Sequence, residues 1–229
     1  MASQELEYLA ELMAEFPVAG GSVTSPSVAQ DLLQFRFQLL LTSEGLFNVF
    51  QQNPGVTNFP RFFQQLARRL HDVLYKNILA NAGDYRRATD PGGGYVQFGL
   101  QRDHTPLFTG TPATDIEQLL PEAFQYLVKD AADPVRAAVA FYQQFVHIHP
   151  FYDANGRIGR LLVSLYLNYH DLYVNWDRLE ERKGEWLRRL NDCHNRQEQP
   201  NLYPRYLGYL VKHFSGYVTN KPSDTIDPK

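Results

Sequence analysis

Phe62, Phe63, Leu66, Leu70, Val73, Leu74 and Ile78 recur at intervals of three and four. That spacing lays them along one stripe of an α-helix and is incompatible with a strand, whose side chains alternate every two residues. The stripe predicts a helix ending at Asn81-Ala82-Gly83, where glycine suits a helix stop. The same period appears in Leu6, Leu9, Ala10, Leu12 and Met13 before a stop near Phe16-Pro17. It returns from Val28 through Leu32, Leu33, Phe35, Leu39 and Leu40 into TSEGLFNVF, with Pro54-Gly55 as the next turn signal. Further stripes cover Asp115 to Lys129 with Thr114 as cap, Val135 to Ile148 with Pro134 in the first turn, Ile158 to Tyr169, Leu179 to Cys193, and Pro204 to Phe214. The expected fold is therefore mainly α. Strands are expected in one place, the glycine-rich stretch DYRRATDPGGGYVQFGLQRDHTPLFTGTP, where Tyr95-Val96-Gln97-Phe98 reads as one arm of a β-hairpin.

Charge and cysteine usage narrow the class. Twenty-two basic against 25 acidic side chains give a formal net charge of -3, which excludes the basic footprint of a general nucleic-acid binder. Any anion site must be local. The single cysteine, Cys193, excludes an internal disulfide and a multi-cysteine zinc site, and suits a reducing, cytoplasmic compartment. The opening MASQELEYLAELMAEF has glutamates in place of a basic leader, and no stretch reaches the ~20 apolar residues of a membrane span. Neither nucleic acid nor membrane is an expected partner. The tail SGYVTNKPSDTIDPK has little to bury and is predicted to be mobile.

Chemistry concentrates in HPFYDANGRIGR, residues 149 to 160. Pro150 keeps His149 out of helical geometry, so one helix should close there with the imidazole at its end. The next helix opens at Asn155-Gly156, after a loop anchored in the core by Phe151, with Asp153 facing out. Its first turn offers free backbone N–H groups, and Arg157 and Arg160 share a face there. The helix dipole already makes that end positive, so two cations cost a few tenths to about 1 kcal/mol each unless an anion sits among them. A phosphate is the natural anion, since free N–H groups and forked guanidinium donors converge on it. A carboxylate beside it, Asp153, suits Mg²⁺. His149, with an ordinary pKa near about 6.5, is placed to take a proton from an attacking hydroxyl. The logic is nucleotidyl transfer. A metal set of His147, His149 and Asp153 is disfavoured, because a helical His147 points away from a His149 in the loop.

This stretch resembles the Fic family signature HxFx(D/E)GNGRxxR at His149, Phe151, Asp153, Asn155, Gly156, Arg157 and Arg160, with Ala154 where many members carry glycine. Weaker likeness extends through LHDVLYKNILANAGDYRR and into the last helices. The resemblance implies a Fic-type helical bundle over 60–214, a β-hairpin flap at about 92–110, an N-terminal helical extension over 1–59 as a candidate regulatory element, and a mobile tail over 215–229. It also implies transfer of AMP from ATP, with Mg²⁺, to a Ser, Thr or Tyr hydroxyl of a target protein docked at the flap. In that scheme His149 is the base, Asp153 the Mg²⁺ ligand, Asn155 and Gly156 shape the anion hole, and Arg157 and Arg160 hold phosphates. Gly156, where Doc kinases carry lysine, favours AMP transfer over phosphorylation.

The family's inhibitory pattern (S/T)xxxE(G/N) has a degenerate match at LLLTSEG, making Glu44 a candidate inhibitory residue aimed at Arg160; otherwise restraint falls to a separate antitoxin-like protein. Transfer of another nucleotide moiety, or removal of AMP by the same site, is the alternative activity. A non-catalytic nucleotide- or peptide-binding module is the alternative of a different class. Arg86-Arg87 reads as a solvated face, the Tyr85-Arg86 pair as structure ahead of the flap, and Phe35, Phe37, Phe47, Phe50, Phe62 and Phe63 as packing.

Overall fold

The apolar stripes fold, in the computed structural model, into α1 (Ala2–Glu15), α2 (Pro26–Leu41), α3 (Glu44–Phe47), α4 (Phe59–Tyr75), α5 (Ile116–Lys129), α6 (Pro134–Ile148), α7 (Asn155–Tyr169), α8 (Trp176–Glu180), α9 (Lys183–His194) and α10 (Tyr203–Ser215). Strands β1 (Gln97–Leu100) and β2 (Pro106–Thr109) stand between α4 and α5, β3 (Leu172–Val174) follows α7, and β4 (Val218–Asn220) follows α10. The structure describes residues 2–20, 23–47, 59–100, 106–129 and 132–220.

Helix α6 is the axis of the bundle. Its sequence, PVRAAVAFYQQFVHI, is apolar almost all round, which is the composition of a helix covered on every side. Asp133 starts it by accepting from the Arg136 N–H at 3.0 Å, with Pro134 in the first turn. Helices α5, α7, α9 and α10 pack around it, and α4 closes against α5 and α7. Gly159 allows α7 to approach α6 closely, since a Cβ there would stand 2.9 Å from two ring carbons of Tyr142. Phe124, Phe141, Phe145 and Phe151 are fully buried in this core, each contributing about 1.5–3 kcal/mol of transfer free energy. The amide of Gln143, buried inside it, is fully satisfied: its nitrogen donates to His194 Nδ1 (2.9 Å) and Gln197 Oε1 (3.0 Å), and its oxygen accepts from Gln144 (3.0 Å) and Tyr203 (2.8 Å).

The structure departs from the sequence expectations at element ends. Helix α2 does not run on into TSEGLFNVF: the Thr42 hydroxyl bonds back to the Gln38 carbonyl (3.0 Å), and Ser43 Oγ accepts from the Leu46 N–H (3.2 Å) to start α3 separately. Helix α4 stops at Tyr75, short of Gly83, because Asn77 turns left-handed at φ 67°; Ile78 is nevertheless buried, so the stripe reported burial rather than helix. Leu179 to Cys193 is two helices broken at Glu181-Arg182. A second β-pair exists, β3 with β4, in which Val174 faces Val218. The stretch from Gly216 to Asn220 is therefore ordered, with Tyr217 buried and its carbonyl accepting from the Asn175 N–H at 2.9 Å. Phe35 is exposed rather than packed, whereas Phe37 and Phe63 are core. Pro54-Gly55, Phe50, the hairpin tip at 101–105 and the last residues 221–229 lie outside the described residues. Among the described residues no helix is long and apolar enough to cross a membrane.

Candidate functional site

Helix α6 ends on His149, which adopts the left-handed conformation (φ 54°, ψ 58°) ahead of Pro150. That turn is unfavourable for a residue with a Cβ by roughly 1–2 kcal/mol, and it lifts the imidazole off the helix flank. The ring Nδ1 lies 3.2 Å from the Val146 carbonyl oxygen. Only a protonated Nδ1 makes that a hydrogen bond, so Nε2 is the nitrogen left with a free lone pair. Phe98, on β1, stacks over the ring at 4.4 Å and 10°. Burial beneath it lowers the His149 pKa to about 4; Arg86 pushes the same way, against the Val146 bond and Asp153. The imidazole is a neutral base at any pH near 7.

The loop that follows is fastened from four directions. Phe151 is buried face-to-face on His71 (4.1 Å, 6°), and His71 is held in turn by the Gly83 N–H at 2.8 Å. Burial keeps His71 neutral, with a pKa near about 3. The Tyr8 hydroxyl, from α1, donates to the Tyr152 carbonyl at 2.7 Å. Asn155 bridges the backbone of Phe151 with its amide, accepting from its N–H (3.0 Å) and donating to its carbonyl (2.8 Å). Asp153 accepts from the Ala154 N–H at 2.6 Å and from the Tyr75 hydroxyl at the end of α4. Burial raises its carboxyl pKa, but Arg157, Tyr75 and the Ala154 N–H together hold it below the ordinary carboxylate value.

Helix α7 starts without a side-chain cap, Ala154 taking the left-handed turn before it. Its first-turn N–H groups therefore lack both an intrahelical acceptor and a cap. Beside them, Arg157 Nη1 sits 3.8 Å from Asp153 Oδ2, an ion pair too long for a hydrogen bond, and Arg160 pairs with Glu180 at 3.2 Å while lying over the Trp176 ring at 5.6 Å. The two arginine side chains are only 31% and 21% exposed. Arg157 Nη1 and Arg160 Nε are buried donors with no hydrogen-bond partner among the described residues. Unsatisfied guanidinium nitrogens, bare backbone N–H groups and a helix dipole on one spot form a cradle for an anion.

His149, Asp153, Asn155, Gly156, Arg157 and Arg160 are thus brought together by one loop and one helix turn. Asn155 shapes the loop, with one bond to Phe151 from each end of its amide. Glu44 is not brought in. It is exposed and lines a cavity of about 620 Å³ with Ser164, Asn168 and Trp176, while the acidic partner of Arg160 is Glu180. For a divalent cation, Asp153 is the one carboxylate on the loop, and no group of three or more His, Cys, Asp or Glu capable of holding a metal occurs among the described residues. That donor set fits Mg²⁺ completed by phosphate oxygens, which uses one or two carboxylates, and does not fit an all-protein cage.

Sequence reasoning missed Tyr75, Tyr8 and Phe98, and of its two readings of Arg86 the structural one holds and the solvated face does not. Arg86 is 2% exposed, not a solvated face, whereas its neighbour Arg87 is exposed and pairs with Asp84 at 2.8 Å. Tyr75 carries a weak signal, as the last residue of a strong stripe; nothing in the spacing marks Tyr8.

Residues 62–167 match the model of the Fic/DOC family. Among solved structures, the chain is similar to a Fic domain containing signaling protein from Bacteroides thetaiotaomicron (17% identity, 92% of this chain and 79% of that one, TM-score 0.57). It is similar also to the BepC protein of Bartonella tribocorum with bound AMPPNP (13% identity, 91% and 98%, TM-score 0.56) and to the N-terminal Fic domain of a putative cell filamentation protein from Bartonella quintana with bound ADP (15%, 88% and 90%, TM-score 0.54). Likeness at such identities speaks for the fold.

Proposed function

Because residues 62–167 of this chain are a Fic/DOC family domain, we propose that it is a nucleotidyltransferase moving AMP from ATP to a serine, threonine or tyrosine hydroxyl of a target protein. The observation that carries the reading is the pair of buried guanidinium nitrogens, Arg157 Nη1 and Arg160 Nε, that have no hydrogen-bond partner among the described residues, beside an uncapped helix start. The relatives with bound AMPPNP and ADP support a nucleotide in that cradle.

The chemistry is then a single in-line displacement. Nε2 of His149 takes the proton of the target hydroxyl, whose oxygen bonds to the α-phosphorus as the bond from that phosphorus to the bridging oxygen of the departing pyrophosphate breaks. Arg157, Arg160 and the first-turn N–H groups of α7 hold the β- and γ-phosphates and receive the charge that develops on them. Asp153, oriented by Tyr75, would hold Mg²⁺, which neutralises phosphate charge. The target segment is placed against the β1–β2 hairpin, whose strand edge offers main-chain pairing beside the imidazole.

Incubating the purified chain with Mg²⁺ and ATP, followed by intact-mass analysis of itself and of lysate proteins, tests this. Adenylyl addition that disappears in His149→Ala is the expected result. No addition from the wild type with ATP or any other common nucleotide, despite measurable nucleotide binding, would favour a non-catalytic binding module.

A further inference from the structure

We infer that Arg86 is a positioning residue that locks the flap to the backbone carrying His149, so that docking on the hairpin and placement of the base are one mechanical event. The inference rests on the transfer reading above for its kinetic consequence, and on geometry alone for the lock.

The guanidinium of Arg86 makes four hydrogen bonds, all to carbonyl oxygens, on two sides. On one side it donates through Nε to His149 (2.7 Å) and through Nη2 to Ile148 (3.2 Å), while its own N–H donates to Pro150 (2.9 Å). On the other it donates to Gly94, at the root of the hairpin before β1, and to Thr111 (2.9 Å), at the root after β2. Two residues of the left-handed turn and both feet of the flap therefore meet on one fork, and the backbone of the same residue holds the third, Pro150. Four acceptors in fixed directions suit a planar guanidinium, and no other side chain has the donors to serve them.

The surrounding glycines show how tight the junction is. A Cβ on Gly110 would lie 3.1 Å from Arg86 Nη2 and 3.2 Å from His149 Cβ, so flap foot, arginine and base are in mutual contact. Gly94 takes φ 70°, and a Cβ there would come within 2.5 Å of the Arg87 carbonyl oxygen. With no carboxylate among these partners, what Arg86 supplies is directional bonding rather than charge pairing. It holds a residue that would otherwise relax out of its left-handed turn, carrying Nε2 away from the hydroxyl.

Three readouts on the full chain test this. Arg86→Ala should lower kcat for self-labelling by roughly 100-fold, the scale expected for a misplaced reacting group, with MgATP affinity by calorimetry little changed because the phosphate cradle lies on α7. Arg86 lines a cavity of about 1220 Å³, so guanidinium added at millimolar concentration can reach the vacated place and should restore part of the rate. In NMR of histidine-labelled protein, with His149 assigned by His149→Gln, the wild-type ring should show the ring-current shift of stacking under Phe98, and Arg86→Ala should lose it as Phe98→Ala does. An unmoved His149 resonance overturns the proposal, and so does unchanged kcat. If Arg86→Ala fails to fold, Arg86→Lys takes its place, and wild-type kcat in that variant is again a refutation. Should the wild type transfer nothing, the transfer reading falls while the His149 resonance still decides the lock.

Discussion

Asn155→Ala separates a loop-shaping amide from a ligand-binding one. In the folded chain Asn155 is buried and bridges the N–H and carbonyl of Phe151 at 3.0 and 2.8 Å. Phe151 itself is fully buried, so truncation leaves both main-chain groups without their partner. An unsatisfied buried group costs about 1–3 kcal/mol, and mutual relaxation of the two keeps the sum to roughly 2–4 kcal/mol. For a chain of this length each kcal/mol moves Tm by about 2–4 °C, giving a loss of roughly 4–16 °C. Urea denaturation read by tryptophan fluorescence should show the same loss in ΔG with little change in slope. At a temperature where the variant is folded, MgATP affinity should fall by much less than it does in Arg157→Gln, because the loop and not the phosphate has lost its partner. A variant as stable as the wild type that no longer binds nucleotide would refute the assignment, and would return Asn155 to the anion cradle.

Three further outcomes are expected. Burial lowers the pKa of His71, His149 and His194 to about 3, 4 and 3 from 6.5; only the unfolded chain binds protons on these rings as pH falls from 6.5 towards 4, so stability present above pH 6.5 should be lost below it at up to about 1.4 kcal/mol per pH unit for each ring, and urea midpoints that do not fall between pH 7 and 5 would contradict this. Gly159→Val should destabilise by roughly 1–3 kcal/mol, since even a Cβ there stands 2.9 Å from the Tyr142 ring, and a variant melting at the wild-type temperature would show that α6 and α7 are not so close. Glu180→Gln removes the ion partner of Arg160; the pair is partly exposed, so stability should change by less than about 1 kcal/mol, while calorimetry should record tighter MgATP binding, and weaker binding would mean that Glu180 serves the nucleotide rather than competing with it.

The sequence carried the helices because burial imposes a period, and the meeting of the six candidate site residues because they crowd into twelve positions. It misplaced ends wherever a side chain diverted the backbone, as at Thr42 and Asn77, since such local bonds leave no period behind. Ile78 shows the limit plainly: an apolar residue continues a stripe whether the backbone beneath it is helix or turn. The partners of Arg86, Tyr75 and Tyr8 were illegible for a related reason. Each acts across 63 to 144 residues of chain, and a single residue's partner at that range is set by packing that no spacing encodes. Arg86 was also masked by its neighbour, because a pair of arginines looks like a wet surface although only Arg87 is one.

The pairing of β3 with β4 bears on how this chain can be cut. The matched stretch stops at residue 167, within α7, yet the helix at its heart, α6, is roofed by α9 and α10, and the chain then doubles back to zip itself beside β3. A fragment of 62–167 would lack that roof and expose the Gln143 network to water, and one lengthened only through β3 would leave that strand without its mate. The cooperative unit is longer than the stretch by which relatives are recognised, and a soluble fragment has to reach at least Asn220.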